Sequence, residues 1–407
     1  MKITYISQRT LPAPLTGSER YIHDLARYTR KKYFVEIIAT GRSDNSDSRT
    51  IYEGVHVKTF KEFPLRYLTG PITYGVRKLN RQWLFDLYSK PFSGFHQSTS
   101  WGYFSLSMKD YLQSRNLDMI HAAAIPTATA WLSWRISRKK NIPFVFTPFL
   151  HYELIDFRVP WIKSLLRESS IIIAVTNKER EKLVEFGVSE FKIQVIPLGI
   201  DYKMYDKRNI NSFRKTNGLT EDLFVILIPR KSKEKGTYDT LKAMVNLSQK
   251  YNKLGLILLD KTPKQDEPIL TAYVHALTLN GVKVIDLGFV TGENLIEAYQ
   301  ACDVLVEPTS VDSFGIVFLE AWACGKPVIA ADYGAISEVV LNGVNGLLVK
   351  YGDCIGIEDA IISLIEDDKL KKRLGENGRE DVMKKYSIEN MVKKTEYIYD
   401  LVRNNKI

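Results

Sequence analysis

Two stretches carry the residue types from which a site could be built. The first, residues 228–236, reads IPRKSKEKG. A strand-like run ends at Ile228, and Arg230, Lys231, Lys233 and Lys235 then place four cations within six positions before Gly236. Arginine offers a planar fork of donors and lysine a mobile point charge, which together suit a phosphate. A solvated basic loop has the same spacing. The second, residues 308–327, reads PTSVDSFGIVFLEAWACGKP. Asp312 and Glu320 stand eight apart across Ser313-Phe314-Gly315, and the apolar positions from Ile316 onward predict a buried helix. The first N–H groups of such a helix lack intrahelical acceptors, and its dipole is positive at that end, so an anion is favoured there. Gly315 would let a ligand approach the backbone closely. The competing reading is a helix capped by Asp312, with Glu320 solvated.

Repeated strand–helix units must hold these stretches. KITYIS (2–7), FVEIIAT (34–40), LDMIHAA, IPFVFTPF, SIIIAVT and KIQVIPLGID (192–201) are short apolar runs of the kind expected in strands buried on both faces. SERYIHDLARYTRKK (18–32) predicts a helix with Ser18 as its N-cap. After a Pro/Gly turn near 200 the pattern restarts with LFVILIPR, LGLILLD, VKVIDLGFV, DVLVEP, KPVIAAD and GLLVK. The reading is α/β, with two Rossmann-like doubly wound parallel-sheet domains facing across a cleft, in which ligands bind beyond the carboxyl ends of strands. The expected segments are 1–200, 201–386 and a terminal helix 387–407. No G-x-G-x-x-G follows the first strand, and neither GxxxxGK[ST] nor HExxH occurs.

The chain has 407 residues and a formal net charge of +10. Residues 1–200 hold 29 Lys+Arg against 17 Asp+Glu, and the remainder holds 28 against 30. The basic excess therefore belongs to the first half and points to an anionic partner. Within it, residues 58–92 interleave seven Lys/Arg with aromatic residues against two acids, which suits an anionic membrane surface or a lipid-phosphate acceptor. Cys302, Cys324 and Cys354 lack CxxC spacing, which argues against both a disulfide framework and a zinc site. MKITYISQ carries no long apolar region, so a cytoplasmic chain is expected, peripheral on the membrane if 58–92 binds there.

RKSKEKG, LGFVTGENLIEAYQACDVLVEP and TSVDSFGIVFLEAWACGKPVIAADYGAISEVVLNGVNGLLV together resemble the donor-binding half of glycosyltransferase family 4, retaining enzymes of the GT-B fold. YISQRTLPAPLTGSERYIHDLARYTRKK resembles the family's opening strand, loop and helix, so the likeness spans the chain. It implies an acceptor-binding first domain, a donor-binding second domain and a final helix crossing back. It places Arg230 and Lys235 on a donor diphosphate and Gly17 in a loop closing over the phosphates and sugar. Asp312, with the N–H groups of Ser313, Phe314 and Gly315, is placed on donor-sugar hydroxyls, and Glu320 on the ribose. The helix at Ile316 is aimed at the diphosphate, and Phe289 and Val290 lie near the base. His121 and His151 are both candidates for a sugar-facing histidine.

The chain departs from the family where Asp312 stands for the usual glutamate and Pro229 for the usual glycine. It also departs where Gly334-Ala335 and His121-Ala122-Ala123 replace Gly-Gly and His-x-His. The implied function is transfer of a hexose-type sugar from a UDP- or GDP-sugar co-substrate to a glycan or lipid-linked acceptor, with no metal, no other cofactor and no nucleic-acid partner. The alternative is a non-catalytic nucleotide-sugar or polyanion-binding protein on the same fold.

Overall fold

Strands buried on both faces must be almost wholly apolar, and that composition sets the architecture. The computed structural model describes residues 1–10, 17–41, 47–61, 104–150, 160–206 and 210–404. The chain divides into two compact units, Met1–Ile196 with Val392–Ile407, and Pro197–Met391. In the sequence reading these boundaries stand at 200 and 386.

The first unit contains β1 (Lys2–Ser7), β2 (Phe34–Thr40), β3 (Ser48–Tyr52), β4 (Val55–Phe60), β5 (Met119–Ala123), β6 (Phe144–Thr147), β7 (Ile171–Ala174) and β8 (Ile193–Val195). They form one sheet in the order β3-β4-β2-β1-β5-β6-β7-β8. Every pairing is parallel except the β3–β4 hairpin. The sequence reading missed that hairpin, although V-H-V-K-T-F alternates with period two and Glu53-Gly54 supplies the two positive-φ residues of a tight turn. Within residues 58–92, Phe60 is a core residue and the Lys58 ammonium lies over the rings of Phe60 and Tyr111. Both serve the packing of the unit, and 62–92 lie outside the described residues.

From Val392 onward the last helix, Ile388–Arg403, belongs to the first unit. Its Tyr399 hydroxyl donates to that of Tyr5 at 3.1 Å, and Asp400 pairs with Lys32 at 2.7 Å.

The second unit contains β9 (Phe224–Ile228), β10 (Leu254–Leu259), β11 (Lys283–Gly288), β12 (Val304–Glu307), β13 (Val328–Ala331) and β14 (Leu347–Val349), all parallel in the order β11-β10-β9-β12-β13-β14. The order reverses between β9 and β12. Their carboxyl ends therefore open a crevice where a doubly wound sheet binds ligands. No helix among the described residues is long and apolar enough to cross a membrane.

One buried acid ties loops of the first unit together. Glu179, in the helix Asn177–Glu185, accepts the N–H of Leu150 at 2.8 Å and of Val175 at 2.6 Å. Burial pushes its carboxyl from 4.5 to about 7, against the pull of those two hydrogen bonds. A raised folded-state pKa means that the folded chain holds the proton more tightly than the unfolded chain. The associated stability is complete below the ordinary value and is lost as pH rises through about 7. At about 1.4 kcal/mol per pKa unit the loss is on the order of 3 kcal/mol. Urea unfolding at pH 5 and pH 8 should show a larger drop for the wild type than for Glu179→Gln. Equal drops would contradict this account.

Candidate functional site

The site is assembled from the two loops that leave β9 and β12. They interlock through backbone and hydroxyl groups. Ser310 N–H donates to the carbonyl of Glu234 at 2.9 Å, and the hydroxyls of Thr309 and Ser310 each donate to the same carbonyl at 3.3 Å. Gly236 has φ +70°, and a Cβ there would lie 2.5 Å from the Pro308 carbonyl oxygen, so only glycine lets the loops touch.

The four cations of the β9 loop take different positions. The Lys235 ammonium donates to Asp312 Oδ2 and to the Val311 carbonyl, both at 2.8 Å, and stands 3.6 Å from Glu307 Oε1. Arg230 is half-buried, and no hydrogen bond from its guanidinium is formed among the described residues. Burial works against its charge, but the carboxylates of Glu307 and Asp312 outweigh it and raise its pKa. Lys231 turns the other way, only 4% exposed, into an ion pair with Asp286. Lys233 is exposed. Two cations therefore face the crevice at the β9 and β12 ends, and the basic loop is not simply solvated.

Asp312 bonds its own loop as well as Lys235. Its Oδ1 accepts the N–H of Gly315 at 3.0 Å and of Phe314 at 3.3 Å. Ser313 and Phe314 are buried. Two of the N–H groups assigned to sugar hydroxyls are thus used within the chain. Gly315 also differs from expectation. At φ +83°, a Cβ would sit 2.4 Å from the Phe318 ring, so the glycine makes room for that ring rather than for a ligand. The helix Ile316–Ala323 starts there, and the N–H groups of Ile316 and Val317 find no acceptor among the described residues.

Glu320 is neither solvated nor open to a ribose. From Val317 to Ala323 every residue of the helix is buried, so the helix has no solvent face at 320. The carboxylate, 3% exposed, accepts the hydroxyls of Tyr205 at 3.0 Å and Tyr299 at 2.7 Å. At the β11 edge of the sheet, Phe289 is exposed and Val290 half-buried just beyond the strand, where Asp286 accepts the Gly288 N–H at 2.9 Å.

In the first unit, Gly17 opens the helix Gly17–Thr29, so Ser18 lies inside that helix and does not cap it. His121 is fully buried on β5. Its Nδ1 pairs with the Tyr399 hydroxyl at 2.5 Å and its Nε2 with the Thr147 hydroxyl at 2.9 Å. Burial lowers its pKa to about 3. A neutral ring with both nitrogens engaged in the core is a structural histidine, which removes it as the sugar-facing candidate. His151 lies outside the described residues.

The sequence reading missed Glu307, Tyr205, Tyr299 and the Lys231–Asp286 pair. Glu307 had a visible signal, because it is the one charged residue in the otherwise apolar run VLVE. No group of three or more His, Cys, Asp or Glu side chains is placed to hold a metal ion among the described residues.

Replacing Glu320 with alanine should strip two buried tyrosine hydroxyls of their acceptor. At about 1–3 kcal/mol per unsatisfied group, chemical denaturation should register a loss of roughly 3 kcal/mol. A variant as stable as the wild type would refute the buried role.

Similarity to known proteins agrees with this geometry. The family model for glycosyl transferases group 1 matches residues 209–381, and that for Glycosyltransferase Family 4 matches residues 15–203. N-acetyl-alpha-D-glucosaminyl L-malate synthase of Bacillus anthracis is 30% identical over 74% of this chain and 79% of its own length. A D-inositol 3-phosphate glycosyltransferase of Xylanimonas cellulosilytica is 30% identical over 54% of this chain and 55% of its own. Sucrose-phosphate synthase from Thermosynechococcus elongatus superposes with a TM-score of 0.79 at 21% identity, covering 98% of each chain. HepE of Anabaena, in complex with UDP and glucose, superposes with a TM-score of 0.74 at 20% identity, over 98% of this chain and 99% of that one. The chain belongs to glycosyltransferase family 4 and is a glycosyltransferase of the GT-B type.

Proposed function

We propose that the chain transfers a hexose-type sugar from a nucleotide diphosphate sugar to an acceptor hydroxyl with retention of anomeric configuration. The observation that carries this reading is the convergence of Arg230, Lys235 and the start of the helix Ile316–Ala323 at the β9–β12 switch point. The solved HepE complex with UDP and glucose supports UDP as the nucleotide, with GDP as the alternative.

In this reading Arg230 and the free helix N–H groups receive the diphosphate. Lys235 exchanges Asp312 for a phosphate oxygen, and the released Asp312 meets donor-sugar hydroxyls. Phe289 and Val290 lie toward the base. The bond from the sugar's anomeric carbon to the diphosphate oxygen breaks, and the acceptor oxygen bonds that carbon on the same face. The acceptor proton passes to the leaving diphosphate. Negative charge grows on the diphosphate in the transition state, where preorganised cations and a helix end are most effective.

Two relatives are named for L-malate and D-inositol 3-phosphate. The basic balance of residues 1–200 fits an acidic acceptor, whether a small molecule, a glycan or a lipid-linked phosphate.

Thermal unfolding with UDP, GDP and ADP should single out the donor nucleotide, since a ligand of the folded state raises stability. Hydrolysis of the matching sugar nucleotide without acceptor separates an enzyme from a binding protein. Lys235→Ala should lower kcat by about two orders of magnitude or more. Wild-type turnover in that variant would overturn the assignment. Asp312→Glu should shift donor-sugar preference, and an unchanged preference would free Asp312 of that role.

A further inference from the structure

Glu307 is the charged group of the site that the transfer reaction leaves without a part. It closes β12 at 1% exposure, and among the described residues neither carboxylate oxygen has a hydrogen-bond partner. A buried carboxylate without hydrogen bonds is unfavourable, and an apolar side chain would fill a strand position paired with Ala330 on β13. The charged and titratable groups facing it are Lys235 at 3.6 Å and Arg230 from the β9 loop, Asp312 from its own loop, and Tyr299 from the helix Glu293–Ala301. The ammonium of Lys235 directs two donors to Val311 and Asp312 and turns its remaining side toward Glu307. Two cations stand against two carboxylates. Asp312 lies on a loop and can move away, whereas Glu307 is fixed by the sheet.

We propose that Glu307 is a positioning residue of the donor site, a fixed counter-charge that holds the Lys235 ammonium at the strand end while Asp312 and a diphosphate exchange for it. The inference rests on the donor reading above. It has a consequence for turnover. A carboxylate under the cations weakens their hold on a diphosphate, and in many enzymes product release sets kcat. Glu307 thus trades affinity for release.

The test is calorimetric titration of the full chain with UDP and with inorganic pyrophosphate, alongside steady-state kinetics on the sugar nucleotide. In Glu307→Gln both ligands should bind about tenfold tighter at pH 8, equivalent to about 1.4 kcal/mol. KM and kcat should fall together. With rising pH the ligands' own ionisation should strengthen binding in Glu307→Gln, and in the wild type the ionisation of Glu307 should offset that gain. Glu307→Asp should restore wild-type affinity and its pH slope. Glu307→Met, which fills the site with an apolar chain, should shift affinity in the same direction as the glutamine. A lower melting temperature with unchanged affinities and pH slope would mean that Glu307 is structural only, and the proposal would fall. If the wild type bound neither UDP nor pyrophosphate, the donor reading and this inference would fall together.

Discussion

Lys235 stands between Asp312 and Glu307 at the point where the strand order of the second unit reverses. A buried ammonium must be compensated, and here the compensation comes from the neighbouring strand and its loop. Much of the local geometry depends on that pairing. The β12 loop is drawn against the β9 loop, Gly236 must be glycine for the two to touch, and Asp312 bonds the amides before the helix. Two cations stand against two carboxylates there, so binding an anion means exchanging partners rather than filling a positive hole.

The helix that starts behind Gly315 shows how burial decides a residue's role. It is buried over nearly its whole length, and a carboxylate on it has to find donors inside. Tyr205 and Tyr299 supply them, one from a 3-10 turn at 202–206 and one from a neighbouring helix. In the first unit His121 meets the same requirement through Thr147 and Tyr399. A polar residue in a fully buried position is first a bonding problem for the core. At the strand ends, half-buried Arg230 and Asp312 and buried Glu307 combine burial with a neighbouring crevice.

Strand identity was legible in the sequence because runs such as IIIA, FVILI and VIAA have no polar face to hide. The doubly wound class followed from their alternation with helices. Arg230, Lys235 and the helix start at Ile316 were legible because a strand end, a cluster of cations and an apolar helical run lie together in the chain. The β3–β4 hairpin was not read as strands, and only its last three residues, 58–60, fell within the segment taken for a basic surface.

Type and spacing along the chain determined the fold class, the family likeness and the loops from which the site is built, since local composition carries each of them. Tertiary structure alone decided which partners the charged groups take. Lys231 and Lys235 are four residues apart, yet one pairs with Asp286 and the other with Asp312. Gly315 makes room for a phenylalanine ring, and Glu320 and His121 are held in the core. Glu307 becomes the fixed charge of the site. These assignments depend on groups distant in the chain meeting where water is excluded, and no spacing within a single segment encodes that meeting.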